Sequence, residues 1–145
     1  MNRKNIFVLL GPNLNMVGVR EKSIYGEESA EKIKSQIIEY ADRLNFNCEV
    51  FHSNHEGELV DKIHEIRENI FGGIINIGPL SGYSYCLRDA IYLTRIPFVE
   101  VHTSNVYTRE NFRSKSVIAG VCIGQISGFG KHSYFLAIEA LKYLV

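Results

Sequence analysis

The chain has 145 residues, balances 16 basic against 16 acidic side chains, and is 46% hydrophobic, which is enough to build a core without disulfides or metals. This excludes a disordered chain and a disulfide-stapled miniprotein. With no net charge and no Lys/Arg block there is no electrostatic footprint for nucleic acid or an anionic membrane, so a single domain over residues 1–145 acting on small molecules or protein partners is expected.

Asn2-Arg3-Lys4 followed by Ile6 to Leu10 imitates the start of a signal peptide, but Gly11-Pro12 ends the apolar run too early. No run is long enough to span a bilayer, and the cytoplasm is the expected location. Ile6 to Leu10 reads instead as a strand buried on both faces. Ser29 caps a helix to about Leu44, with Ile33, Ile37, Ala41 and Leu44 at helical spacing, and Asn45 breaks it. Cys48 to Phe51 is a second strand. Ser53-Asn-His-Glu56 has the form of a capping box opening a helix through Leu59, Ile63 and Ile66.

Gly73 to Ile77 is a third strand, and beyond Gly78-Pro79 a helix carries Tyr85, Leu87, Ala90, Ile91 and Leu93 on its apolar side. Phe98 to Val101 and Val117 to Ile123 are read as strands four and five. Ser133 to Leu144 closes the chain as a helix with Phe135, Leu136, Ile138, Leu141 and Leu144 apolar. Strands alternating with helices in units of about thirty residues imply an α/β fold with a parallel sheet and right-handed crossovers. Ligands of such sheets bind beyond the carboxyl ends of the strands, so the segments after strands one, three and four should converge.

Those segments carry the unusual residues. The loop Asn13 to Gly26 is long for a strand-to-helix connection, as a closing lid would be, and holds Arg20 and Tyr25. Tyr25 is either a loop anchor or a base whose phenol a nearby Arg depresses. His102, followed by Thr103, Ser104 and Asn105, is either a satisfied histidine at a strand end or a general acid. Glu100, in an apolar strand, is expected to be paired, and could orient His102 if strand curvature brings both to one side. Arg113 is either part of a solvated face or an anion clamp at the rim.

Other chemistry finds little purchase. No G-x-S-x-G elbow, Walker loop, H-E-x-x-H or CxxC pair occurs. Gly124-Gln-Ile-Ser-Gly-Phe-Gly130 has the wrong spacing for a dinucleotide cradle and reads as glycine turns. His52, His55 and His64 lack a ligand cluster of known metal spacing, and Cys48, Cys86 and Cys122 read as buried reduced thiols.

Taken together, Gly11-Pro-Asn-Leu-Asn15, Arg20-Glu21, Ile24-Tyr-Gly26, Ser53-Asn-His-Glu-Gly57, Leu87-Arg-Asp-Ala90, Glu100-Val-His102, Ser104-Asn105 and Arg109-Glu-Asn-Phe-Arg113 run through the chain in order. In these motifs the sequence resembles type II 3-dehydroquinate dehydratase. The resemblance implies a flavodoxin-like three-layer fold with a five-stranded parallel sheet, and a hydro-lyase converting 3-dehydroquinate to 3-dehydroshikimate in the shikimate or quinate pathway. It implies no cofactor, no metal and no covalent intermediate. Tyr25, ionised beside arginines, would remove the C2 proton; Asn13 would hold a water that stabilises the enolate; and His102 would protonate the departing C1 hydroxyl. Arg20 would belong to the lid, while Asn76, the main chain at Thr103 and Ser104, and Arg113 would hold the substrate. Asp89 would reach in from a neighbouring subunit of a homo-oligomer, a dodecamer assembled from trimers.

The chain departs from the family pattern at two places near the site. Gly78-Pro-Leu-Ser-Gly82 stands where the family has a stretch ending in a substrate-binding histidine, so Gly82 supplies no side-chain donor and Pro79 removes a backbone N–H. Leu10 replaces an asparagine. Altered affinity is therefore expected before lost chemistry, the alternative being a diverged paralogue with weak or no activity that binds a related polyhydroxylated carboxylate.

Overall fold

In a computed structural model, which describes residues 2–19, 23 and 27–145, the first apolar run forms strand β1, Lys4–Leu10. Side chains alternate across a strand, so Ile6 and Val8 enter one apolar layer and Phe7 and Leu9 the other. Helix α1, Ala30–Arg43, starts where Ser29 Oγ accepts the Lys32 N–H at 3.2 Å, and the chain leaves it through Asn45 at φ 68°, a left-handed position asparagine tolerates. Strand β2, Phe46–His52, and helix α2, Glu56–Ile66, follow. Strand β3, Gly72–Asn76, passes through a 3-10 turn at Gly78–Gly82 into helix α3, Tyr85–Thr94, capped by Ser84. Strand β4 is Phe98–His102, β5 is Gly124–Ser127, and helix α4 is His132–Lys142.

All strand pairs are parallel and the order is β2-β1-β3-β4-β5, the flavodoxin-like arrangement. Leu59 and Ile63 of α2 and Leu87 and Ile91 of α3 pack on one face of the sheet. Ile37 and Ala41 of α1 and Ala137, Ile138 and Leu141 of α4 pack on the other. The result is three layers, as expected.

Four local readings are corrected. Ser53 does not close a capping box: His55 occupies the cap position, and Ser53 Oγ instead accepts the His55 N–H at 2.9 Å and donates to Glu58. The fifth strand begins at Gly124 rather than Val117. Residues 117–122 cross the end of α3, with Ile118 buried and Ala119–Val121 in a 3-10 turn, so their β-branched side chains serve packing rather than a ladder. The true β5 is an edge strand whose exposed outer side needs few apolar residues. Tyr85, Leu93, Leu136 and Leu144 lie exposed rather than on apolar faces. Cys86 is also exposed, while burial pushes the half-buried thiols of Cys48 and Cys122 up to about 12.

Two predictions follow from this packing. A Cβ at Gly73 would lie 2.2 Å from the ring of the fully buried Phe98, so Gly73→Ala should cost roughly 1–3 kcal/mol in urea denaturation. His52, closing β2, has its Nε2 sealed from solvent without a hydrogen-bond partner. Burial pulls its pKa below 6.5, against the opposing effects of the Gly11 backbone and the Asn54 side chain. As pH falls from 6.5 the unfolded chain takes up this proton more readily than the folded one, so stability is lost on acidification. Urea melts at decreasing pH should show a smaller acid-side loss in His52→Gln than in the unchanged chain.

Candidate active site

Strand order reverses between β1 and β3, and side chains that follow the two strands flank the crevice so formed. A cavity of about 100 Å³ opens there. Asn13 and Leu14 from the β1 exit, Asn76, Gly78 and Gly82 from the β3 exit, and His102, Thr103 and Ser104 from the β4 exit line it. The convergence expected from topology is therefore present.

Close backbone contact sets the β1 exit. The Gly11 N–H donates to Asn76 O at 2.8 Å, and a Cβ on Gly11 would fall 2.6 Å from Ile77 Cα. Asn13 then takes φ 72°, and its N–H donates to Asn54 Oδ1 at 2.9 Å. Asn54, within the motif read as a helix cap, thus fixes the residue after the turn. Asn76 is itself buried, its Nδ2 donating to Tyr134 Oη at 2.9 Å and its Oδ1 accepting the Gly78 N–H at 3.2 Å.

At the β4 exit, parity alone brings Glu100 and His102 to one face, two residues apart on a straight strand, with no curvature required. His102 Nε2 lies 2.5 Å from Glu100 Oε2. Glu100 is wholly buried, and Ser116 Oγ, 2.8 and 2.9 Å from its two oxygens, supplies a second donor, so the expected pairing is present. A carboxylate can only accept, so Nε2 carries the hydrogen and Nδ1 is the nitrogen left to exchange a proton with a ligand. Ser116 also accepts the Ala119 N–H at 3.0 Å, which holds it in place.

The carbonyls of His102, Thr103 and Ser104 accept from Gly128 N, Gly130 N and Ser127 Oγ at 2.9–3.0 Å. This commits the amides of the glycine-rich segment, which is no phosphate cradle, and leaves main-chain N–H groups as the donors suited to a ligand beside Thr103 and Ser104. Among the described residues two cations border the cavity: Arg109 donates to Ser104 Oγ at 3.2 Å, and Arg113 pairs with Glu110 at 3.1 Å over the Phe112 ring. The Arg113 pairing also draws the Glu110 carboxyl below its ordinary range, after a hydrogen bond from its own backbone.

Asp89 does not line this cavity but lies exposed on α3, and Arg20 and Tyr25 fall outside the described residues. Among the described residues no group of three His, Cys, Asp or Glu gathers as a metal site. Sequence reasoning missed Asn54, Ser116 and Tyr134; only Asn54 sat in a motif that had been noticed. At Gly82 a Cβ would meet Phe112 O at 3.6 Å and Lys115 O at 3.7 Å, ordinary van der Waals contacts.

The family model described as dehydroquinase class II matches residues 4–142. A 3-dehydroquinate dehydratase of Caldicellulosiruptor saccharolyticus is 52% identical, over 98% of this chain and 99% of that protein. The type II dehydroquinase of Butyrivibrio crossotus superposes with a TM-score of 0.95 at 45% identity, covering 97% of this chain and 99% of its own. That of Propionibacterium acnes gives 0.93 at 35% identity, covering 97% of each. The chain belongs to the class II dehydroquinase family.

Proposed function

We propose that this protein is a hydro-lyase that dehydrates 3-dehydroquinate to 3-dehydroshikimate in the cytoplasm, within aromatic amino acid biosynthesis or quinate use, by acid and base catalysis without a cofactor. The observation that carries the reading is His102, held by a wholly buried Glu100 on the wall of the switch-point cavity it shares with Asn13, Asn76 and Arg113. A proton α to a ketone needs a poised base, the enolate formed needs fixed donors, and hydroxide leaves poorly unless protonated.

In this scheme Tyr25 takes the C2 proton and Asn13 holds a water against the enolate oxygen. His102, carrying a second proton on Nδ1 while Glu100 holds its Nε2–H, then gives the Nδ1 proton to the C1 hydroxyl, which leaves as water while the C1–C2 double bond forms. The left-handed turn at Asn13, fixed by Asn54, suits a residue that must present its amide in one direction. Arg20 closes over the substrate. Asn76, the main chain at Thr103 and Ser104, and Arg113 hold its hydroxyls and carboxylate; an N–H-presenting backbone beside two arginines suits an anion. Asp89 serves a neighbouring subunit's site in a dodecamer of trimers, a role supported by its exposure on α3 beside exposed Tyr85 and Tyr92.

Enone formation from 3-dehydroquinate, followed by ultraviolet absorbance, tests this. The unchanged chain should turn over, and Tyr25→Phe and His102→Ala should each lose about 10²–10⁴-fold in kcat. Saturable binding without turnover would contradict the assignment and favour the non-catalytic paralogue. Gly82→His should fold as the unchanged chain does and lower KM, since a Cβ there makes only ordinary contacts and a donor is added; an unchanged KM would show that the missing histidine has no cost here.

A further inference from the structure

Tyr134 is drawn into the site by nothing in its sequence surroundings, yet it anchors the amide that Asn76 shows the cavity. It sits in the first turn of α4, almost wholly buried under the sheet, and burial pushes its phenol up to about 12, so the hydroxyl stays neutral. Asn76 closes β3 and lines the cavity. Its amide has two faces, a donating Nδ2 and an accepting Oδ1, and a rotation of the terminal amide would exchange them. Gly78 N can only donate, so Oδ1 must face it, but at 3.2 Å that bond is long. The Nδ2 bond to Tyr134 Oη at 2.9 Å is the shorter of the two and lies on the buried side. Together they use one hydrogen of Nδ2 and one lone pair of Oδ1, and the second Nδ2 hydrogen is left for a ligand.

We propose that Tyr134 is a positioning residue: the Gly78 N–H sets which way the Asn76 amide faces, and Tyr134 Oη anchors its Nδ2 so that the second N–H is held toward the cavity, where the group bound is a hydrogen-bond acceptor, a hydroxyl or carboxylate oxygen. The proposal rests on the dehydratase reading for its kinetic test but not for its spectroscopic one. Tyr134→Phe keeps the ring and its packing and removes only the acceptor for Nδ2. The Asn76 amide then keeps its Gly78 bond but loses the anchor on Nδ2 and tilts more freely, which weakens substrate binding without touching the groups that move protons.

Kinetics on the unchanged chain, Tyr134→Phe, Asn76→Ala and the double variant should show KM for 3-dehydroquinate rising roughly 2–10-fold in Tyr134→Phe, the range of one neutral hydrogen bond, with kcat within about a factor of two. Tyr134→Phe should add nothing in the Asn76→Ala background. A loss of kcat at constant KM, or an equal KM effect with and without the Asn76 side chain, would overturn the proposal. Independently, side-chain amide NMR of the ligand-free unchanged chain should show an Asn76 NH₂ group with one slowly exchanging hydrogen, and that protection should vanish in Tyr134→Phe. If the unchanged chain does not turn over 3-dehydroquinate, the dehydratase reading fails while this spectrum still decides the positioning role. If Tyr134→Phe does not fold, the spectrum of the unchanged chain alone decides it: fast exchange of both hydrogens overturns the proposal.

Discussion

A carboxylate buried in the middle of a parallel strand constrains much of what surrounds it. Glu100 lies between Val99 and Val101 in β4 with no exposure at all, and an unpaired charge there would cost several kcal/mol. Two donors answer it: the His102 ring on the same strand face, and Ser116 from the segment that leaves the cavity rim. The first fixes an imidazole at the β4 exit. The second pulls the chain back to β4 just after Arg113, so the need to satisfy one buried group helps bring a cation to the same cavity. The 3-10 turn that follows, anchored on Ser116, then seats Ile118 against α3.

The other wall depends on close backbone approach. Gly11 lies against Ile77 with no space for a side chain, and its N–H bonds Asn76 O, so the exits of β1 and β3 are welded side by side at the point where the strand order reverses. Asn13 enters a left-handed turn immediately afterwards and is held by Asn54 from the β2 exit. Three strand ends are thereby tied to one crevice by hydrogen bonds made before any ligand arrives. Such preorganisation is what electrostatic stabilisation of an enolate requires, since donors that must reorient during the reaction lose most of their value.

The layers and the parallel sheet were legible because periodicity reports burial: Ile6 to Leu10 is apolar on both faces, and α1 carries its cap and its stripe in plain view, while the flavodoxin-like arrangement came from the family resemblance. The fifth strand was not, because the β-branched run at 117–123 packs on α3, while the edge strand itself is half exposed and glycine-bearing. Periodicity cannot distinguish a side chain that faces a helix from one that sits in a ladder. At the site, His102 stood out as a polar group at a strand end, and Asn76 came in through the family resemblance. Ser116, Asn54 and Tyr134 did not, because each acts by contacting a residue 16 to 58 positions away, and spacing along the chain does not reveal such pairs.

Glu100 fixes His102 with Nε2 protonated, which leaves Nδ1 as the nitrogen that exchanges protons. Nitrogen-15 spectra of histidine-labelled protein read the tautomer of the neutral ring directly. The account predicts a protonated Nε2 and a bare Nδ1 at His102, with the preference lost in Glu100→Ala. A protonated Nδ1 in the unchanged chain, or a tautomer indifferent to removal of Glu100, would contradict it.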